Sequence, residues 1–182
     1  MIRLLALITL PLYLLDQWSK NWIVQRFELN GPGEEVIPGT FMLHHVANTG
    51  VAFGMFNGTA YANYAFTLVS LFAFSMIVLG LRRDWFPNRL SRLAAALLIS
   101  GIFGNLTDRL LRSGENGRLF EGGLLKGYVV DFLYFDFGFP PFNPWPSFNV
   151  ADSCVVFAAV LLGISSFQVP VSKAGGPSKA QG

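Results

Sequence analysis

The 182-residue chain has few charged residues, and what it lacks excludes several classes of protein. Only 13% of its residues are charged, against about 25% in an ordinary soluble domain. A single cysteine, Cys154, excludes an intrachain disulfide. No cluster of lysine and arginine alternates with aromatic residues, and no glycine-rich phosphate loop occurs. We therefore expect no nucleic-acid partner and no dinucleotide cofactor.

Long apolar blocks are abundant instead, because 52% of the residues are hydrophobic. A membrane-spanning helix needs about 20 mostly apolar residues. Spans are therefore predicted at about residues 2–24, 60–81, 90–111 and 150–169. The first block differs from a cleaved signal peptide, because no small-residue cleavage pattern follows Asp16, and we predict a retained helix.

Lysine and arginine in the short loops predict the orientation of these spans. The loop 82–92 contains four arginines, whereas the loop 27–59 contains no lysine or arginine. Both termini are therefore expected in the cytoplasm, with the longer loops 27–59 and 112–147 outside. The loop 112–147 is the weaker indicator, since it contains Arg112, Arg118 and Lys126. One integral-membrane domain is expected over residues 1–169, followed by a disordered cytoplasmic tail, 170–182.

The two outer loops have features of β structure. The stretch EVIPGTFMLHHV predicts a turn followed by a strand that ends near Val46. The stretch GYVVDFLYF, from Tyr128 to Phe135, predicts a second strand. The segment PPFNPWP, from Pro140 to Pro146, is too proline-rich for a helix and is expected to be irregular at the membrane surface.

Ionisable residues in or beside a span are costly, so they are candidates for a functional site. Asp16 and Lys20 are spaced i, i+4, which favours a structural ion pair with Lys20 extending outward to water. In NTGVAFG, Asn48 offers a hydrogen-bond donor and an acceptor, and Gly50 allows another backbone to approach. A simple turn explains this motif equally well.

The third span contains GIFGNLTDRL, which combines small and polar residues. Asn105, Asp108 and Arg109 fall at i, i+3 and i+4, so they are expected on one face, directed into a shared site. Gly101 and Gly104 are expected to allow close contact with another helix. A purely structural Asp–Arg pair is the alternative.

Two more carboxylates occur in neighbouring outer motifs. Asn149 is placed to cap the fourth helix, with Asp152 as its third residue, so Asp152 fits a helix-start carboxylate. Asp131 fits a solvated strand end. The two together also fit an acid/base dyad, because two close carboxylates do not both ionise easily.

Other catalytic arrangements are less well supported. His44 and His45 are adjacent on a predicted strand, so their side chains are expected to point to opposite faces, which is poor geometry for one metal. Ser153 has no evident basic partner nearby, and Cys154 is expected to be a buried small hydrophobe. A proton-coupled transporter and a non-catalytic assembly protein are the other classes in which intramembrane ion pairs occur.

The combination DQxxK, NxGxAF, GNxxDR, VVDF and FNxADS, in this order, resembles lipoprotein signal peptidase (signal peptidase II), a bacterial family of membrane aspartic peptidases. The resemblance extends from Asp16 to about Ser153. It implies an all-α membrane protein with four transmembrane helices and a small extracytoplasmic β-structured cradle. It also implies an endopeptidase of the bacterial inner membrane that cleaves diacylglyceryl-modified prolipoproteins just before the lipid-modified cysteine.

The resemblance further implies that Asp131 and Asp152 are the catalytic aspartates. Residues expected to bind the substrate or brace the site are Asn48, Gly50, Asn105, Asp108, Arg109, Asn149, Asp16 and Lys20. No metal or other cofactor is implied, and the expected partners are lipid-modified prolipoproteins, membrane lipids and globomycin-type peptide inhibitors. One departure from the family pattern is the insertion RSGENGRLFEGGLLKG, residues 112–127, predicted to be a flexible hairpin or flap.

Overall fold

The structure, a computed structural model, describes residues 2–49, 60–140 and 145–168. Several sequence predictions lie wholly or partly outside the described residues. They concern Gly50 and the end of the loop 27–59, the last residue of the span 150–169, the tail 170–182 and the part of the proline-rich segment at 141–144.

Helices occupy the apolar blocks that predicted them. A short helical segment, Ile2–Leu4, and a π-helical segment, Leu5–Thr9, lead into α1. The long helices are α1 (Leu10–Arg26), α2 (Ala60–Arg82), α3 (Arg89–Leu111) and α4 (Val150–Ser166). The sequence therefore located the helices to within a few residues.

Two of these helices are long and apolar enough to cross a membrane, at Asn63–Arg82 and Arg89–Leu111. Helix α4 is also apolar but has 17 residues. Helix α1 contains the buried charged residues Asp16 and Lys20, which interrupt its apolar sequence. The described part of the chain thus has the helices of a membrane protein, and the arrangement of four spans stays a prediction.

Close packing of α3 on α4 depends on two glycines, as the sequence predicted. A methyl group on Gly101 would lie 2.6 Å from the carbonyl oxygen of Ala151. One on Gly104 would lie 2.6 Å from an Oδ2 atom of Asp16 and 2.8 Å from the Cβ atom of Ala151. The backbones of α1, α3 and α4 can approach one another only because these side chains are absent.

Gly104→Ala is expected to destabilise the protein by about 1–3 kcal/mol, because the added methyl forces Asp16 and Ala151 apart. The measurement is thermal unfolding of the purified protein in one detergent. Gly163→Ala in α4 is the matched control, since no atom lies within 4 Å of the added methyl there. Equal stability of the two variants would contradict this explanation of the helix contact.

A three-stranded antiparallel sheet packs beside the helices, which confirms the predicted β-structured unit. Its order is β1 (Glu34–Ile37), β2 (Phe41–Asn48) and β3 (Val129–Phe135). The first half of β3 is buried, and Val130 belongs to a core cluster with Ile23 of α1. This packing holds the middle of β3, and therefore Asp131, against the helices.

The insertion at 112–127, predicted to be a flexible hairpin or flap, begins with a short hairpin turn, and its flexibility stays a prediction. Arg112 pairs with Leu119 in an antiparallel bridge, and the Ser113 amide donates to the Arg118 carbonyl at 2.8 Å. The Arg112 guanidinium also donates to the carbonyl oxygen of Gly117 at 2.7 Å. The hairpin is thus fastened to the end of α3 by a charged side chain.

Candidate active site

Asn149 joins the two candidate catalytic aspartates. Its Nδ2 donates to Oδ1 of Asp131 at 2.7 Å, and its Oδ1 accepts from the backbone amide of Asp152 at 2.9 Å. In return, the Asn149 amide donates to Oδ2 of Asp152 at 3.3 Å, completing a capping box at the start of α4. The predicted cap is therefore confirmed, and it also brings the carboxylates of β3 and α4 to one site.

Asp131 is held in an environment that opposes its ionisation. The residue is only 3% exposed. Burial, and next the neighbouring Asp152 carboxylate, raise the pKa of Asp131 from 3.8 to about 7. Hydrogen bonds from Asn48 and Asn149 oppose this rise, and the Asn48 Nδ2 lies 2.8 Å from Oδ2 of Asp131. The interpretation of Asp131 as a solvated strand end is wrong, because β3 is buried where it contains this residue.

A buried amide links Asp152 to the charges of α1. Asn105 donates from Nδ2 to Oδ1 of Asp152 at 2.8 Å, while its Oδ1 accepts from the Lys20 ammonium at 3.0 Å. The same Oδ1 lies 3.2 Å from Nδ2 of Asn149. Asn105 therefore contacts the dyad region and the ion-pair network at the same time.

The predicted Asp16–Lys20 ion pair is present, with 2.9 Å between Nζ and Oδ2. The prediction that Lys20 extends outward to water is wrong, because its side chain is fully buried. The reason is a second carboxylate, Asp108, whose Oδ2 also lies 2.9 Å from Nζ. With Asn105, these groups give the ammonium an acceptor for each of its N–H bonds.

Asp108 is the central anion of the site's buried network. Besides Lys20, it accepts from Nε of Arg112 at 2.6 Å and from Nε2 of Gln17 at 3.2 Å. Its Oδ2 also accepts from the backbone amide of Val130 at 3.3 Å. Asp108 thus ties α1 and α3 to the strand that contains Asp131.

Asp16 makes a matching connection to α4. Its Oδ1 accepts from the backbone amide of Ala151 at 2.9 Å. That amide is one of the N–H groups that a helix leaves unpaired at its first turn. Asp16 therefore braces the helix that contains Asp152.

The spacing predicted that Arg109 lies on one face with Asn105 and Asp108, but the structure directs its side chain partly elsewhere. Its guanidinium lies 4.9 Å from the centroid of the Phe66 ring, and NH1 lies 3.4 Å from Oδ1 of Asn63. These contacts direct Arg109 toward α2, although its charge still interacts with Asp131 and Asp152. The difference arises because consecutive residues on a helix project about 100° apart.

Sequence reasoning missed several polar residues of this region. Arg112 was counted as a loop cation, yet its buried side chain pairs with Asp108, and the i, i+4 spacing could have indicated it. Gln17 belongs to the stretch DQWSK but was not among the predicted site residues. Asn63 binds the carbonyl oxygens of Leu125 and Gly127, and no local pattern predicts that contact.

The two histidines contact different parts of the structure, as their strand positions predicted. His44 Nε2 lies 2.7 Å from the hydroxyl of Ser147. His45 Nδ1 lies 3.2 Å from the Phe27 carbonyl, which can only accept, so Nε2 is left to accept from the Tyr128 hydroxyl at 3.0 Å. Burial lowers the pKa of His45. His45 therefore joins the end of α1 to the start of β3 as a neutral ring.

No group of three or more His, Cys, Asp or Glu side chains in the described ranges is arranged to hold a metal ion. Cys154 is buried, as predicted. The described carboxylates of the candidate site are instead bound to amide, ammonium and guanidinium donors.

An apolar groove of about 560 Å³ opens beside Asp152, and we call it the aromatic groove. Its edge is built by stacked rings, with the centroids of Phe135 and Phe148 5.9 Å apart. The groove is lined by Phe135, Phe137, Phe139, Trp145, Phe148, Asp152, Ser153, Val156 and Phe157. Among the described residues of this lining, only Asp152 has an ionisable side chain.

Comparisons with known proteins agree with the arrangement of these motifs. Residues 8–168 match the family described as signal peptidase (SPase) II. A lipoprotein signal peptidase of Psychromonas ingrahamii is 33% identical over 154 residues, covering 84% of this chain and 78% of the relative. One of Nostoc sp. is 34% identical over 161 residues, covering 88% and 87%.

Solved structures share the fold. One described as a bacterial membrane enzyme superposes with a TM-score of 0.73 at 24% identity, covering 98% of this chain and 96% of that one. A second with the same description has a TM-score of 0.72 at 26% identity, covering 92% and 95%.

Proposed function

The chain belongs to the signal peptidase II family and is a peptidase, and from this premise we propose that it removes signal peptides from diacylglyceryl-modified prolipoproteins. The bond cleaved is the one just before the lipid-modified cysteine. The reaction is of the aspartic type, with Asp131 and Asp152 as the catalytic pair. The observation that carries this proposal is the single amide side chain of Asn149, which binds Asp131 while capping the helix of Asp152.

Two neighbouring carboxylates that share one proton can perform both halves of peptide hydrolysis. The ionised carboxylate takes a proton from a water molecule, whose oxygen bonds to the scissile carbonyl carbon. The protonated carboxylate gives its proton to the carbonyl oxygen, and a tetrahedral diol forms. The C–N bond then breaks as a proton passes to the amine of the cysteine, and the signal peptide leaves with a new carboxyl group.

The aromatic groove is the proposed site for an acyl chain of the substrate. It is apolar, and Asp152 lies in its lining. The lipid is attached to the residue directly after the scissile bond, so an acyl chain in the groove would hold that bond near the pair. Asn105, Arg109, Asn48 and Gly50 are proposed to bind the substrate backbone or to position the pair.

The proposed location is the bacterial inner membrane, where a single domain of residues 1–169 crosses four times with both termini in the cytoplasm. The site then lies near the outer face, where water is available and the lipid anchor of the substrate stays in the bilayer. The burial of Arg112 supports this orientation. Its charge is neutralised by Asp108, so the loop 112–147 has one cation fewer to oppose an outer location.

The direct test is cleavage by the purified wild-type protein of one prolipoprotein with and without its diacylglyceryl group. We expect cleavage of the lipidated form alone, with the cysteine as the new N-terminal residue by mass spectrometry. Activity should survive a chelator. Loss of activity that zinc restores would indicate a metallopeptidase, and substrate flux without cleavage would indicate a transporter.

The activity is expected to fall as the pH rises through about 7, because the pair then loses the proton it shares. The pKa of Asp131 is raised on folding, so its contribution to stability is complete below about pH 4 and is lost as the pH rises toward 7. Initial rates and thermal unfolding over a pH series test this. An Asp131→Asn variant should lack that part of the stability loss.

Val156→Phe is expected to raise KM for a long-chain lipidated substrate about tenfold, because the larger ring fills the aromatic groove. A substrate analogue with short acyl chains should be affected less. Val160→Phe is the matched control, since Val160 lies one turn away, outside the groove lining, and is similarly exposed (54% against 61%). An increase in KM that is independent of acyl length would indicate that the groove binds the signal peptide instead.

A further inference from the structure

The proposed pair needs one ionised and one protonated carboxyl, and the structure gives the two aspartates different surroundings. We infer that Asp152 is the ionised member that activates water, that Asp131 holds the proton, and that Lys20 helps to set this division through the amide of Asn105. Lys20 is then a positioning residue, and the inference rests on the proposed function.

Lys20, together with Nδ2 of Asn149, determines which way the Asn105 amide points. An ammonium can only donate hydrogen bonds, so the atom of Asn105 that lies 3.0 Å from Nζ must be the oxygen. A flipped amide would place its NH2 group against the buried ammonium. Because Oδ1 faces Lys20, Nδ2 must face Oδ1 of Asp152, 2.8 Å away. Lys20 therefore keeps a donor aimed at Asp152, and a donor stabilises the ionised form of a carboxyl.

Lys20 itself has little freedom to turn away from Asn105. Its side chain is fully buried, and Asp16 and Asp108 occupy its other two N–H bonds at 2.9 Å each. Those carboxylates are fixed in turn by backbone amides of α4 and β3. The orientation of Asn105 thus depends on contacts made by four elements, namely α1, α3, α4 and β3.

Helix α4 favours a negative charge on Asp152 in a second way. Asp152 is the third residue of the helix, and its Oδ2 accepts from the Asn149 amide. The first turn of a helix carries a partial positive charge that stabilises a carboxylate. Asp131 lies on a strand, where no such dipole acts, and is more deeply buried than the partly exposed Asp152.

The charged groups around the pair do not cancel this difference. Hydrogen bonds from Asn48 and Asn149 and the charge of Lys20 lower the pKa of Asp131, but burial and the Asp152 carboxylate outweigh them. Arg109 of α3 acts on both members. Asp16 and Asp108, the carboxylates that pair with Lys20, are both bound to cations or amides. The pKa of Asp131, which burial and Asp152 raise to about 7, agrees with a proton on this member.

Asn105→Leu tests the orientation of the donor, because leucine keeps the volume and removes the hydrogen bond. We expect kcat to fall about 10- to 100-fold. The acid limb of the pH profile of kcat/KM should move up by about one pH unit, since Asp152 loses a donor to its ionised form. A merely structural defect would lower the amount of active enzyme without moving this limb, and an unmoved limb overturns the inference.

Lys20→Met, made alone and in the Asn105→Leu background, tests whether Lys20 acts through the amide. We expect a clearly smaller loss of kcat in the Asn105→Leu background, where no amide remains to be oriented. Equal losses in both backgrounds would show that Lys20 acts otherwise. Lys126→Met, at an exposed position of the insertion, is the matched control and should leave kcat unchanged.

If Lys20→Met fails to fold, infrared difference spectra can show which aspartate is protonated without any Lys20 variant. At about pH 6 the band of the protonated carboxyl should disappear in Asp131→Asn. It should remain in Asp152→Asn, although weaker, because the Asp152 charge no longer raises the pKa of Asp131. The reverse result assigns the proton to Asp152 and overturns the inference. If the wild-type protein does not cleave the lipidated prolipoprotein, the proposed function itself fails. The spectra report only the location of the proton, so the two failures can be told apart.

Discussion

Replacing either aspartate of the pair by asparagine is expected to lower kcat about a thousandfold or more while the protein stays folded. In Asp152→Asn no carboxylate remains at that position to take a proton from water. In Asp131→Asn no acid remains to protonate the carbonyl oxygen. Asparagine has nearly the same shape as aspartate, so the capping contacts of Asn149 can be kept in large part.

The measurement is the initial rate of prolipoprotein cleavage, with thermal unfolding of each variant measured alongside. Glu121→Gln is the control, because its carboxylate lies on the insertion and is 49% exposed in its pair with Arg118. This variant should keep the full rate. Full activity of either aspartate variant would contradict the assignment of Asp131 and Asp152 as the catalytic pair. Variants that fail to fold would instead favour a non-catalytic role in holding the helices together.

Asp108→Asn should be the most destabilising conservative substitution in the buried network, with a loss of about 3–5 kcal/mol. Asp108 neutralises Lys20 and Arg112, and all three side chains are fully buried. Asparagine leaves those cations short of a negative charge, and its NH2 group must face at least one donor. The free energy of unfolding in a mild detergent, obtained by denaturant titration, is the quantity to measure.

Glu34→Gln provides the contrast, because it removes a carboxylate from an ion pair of similar length. Glu34 lies 2.8 Å from Arg26, but the two side chains are 54% and 52% exposed. Water screens this pair, so the expected change is at most about 1 kcal/mol. If the two substitutions cost the same, burial does not determine the strength of these pairs, and the central role of Asp108 is wrong.

Local patterns predicted the parts of the site that depend on neighbours in sequence. The cap formed by Asn149 and Asp152 spans one helical turn, and its residue types alone indicate it. The glycines of α3 indicated a close helix contact in the same way, although they did not say which helix would be the partner. The turn and the strand β2 after it were also predicted, whereas the pairing of β1 with β2 was not.

Contacts between distant elements could not be read from the chain. Nothing near Asp131 in the sequence indicates that β3 is buried there, since that depends on the packing of Ile23 from α1. The sequence predicted that Lys20 reaches water, because nothing near it in the chain indicates the second carboxylate that α3 supplies. The aromatic groove was hidden for the same reason, because β3, the proline-rich segment and α4 must converge to form it.

The hydrogen bond from the Ala151 amide to Asp16 has a consequence for biosynthesis. It joins α1 to α4, which is synthesised much later, and Asp152 follows Ala151 directly. The proposed pair is therefore incomplete until α4 has been synthesised and has docked against α1. A nascent chain, or one truncated before α4, carries the charged network of α1 and α3 but has no means of cutting the membrane proteins inserted around it.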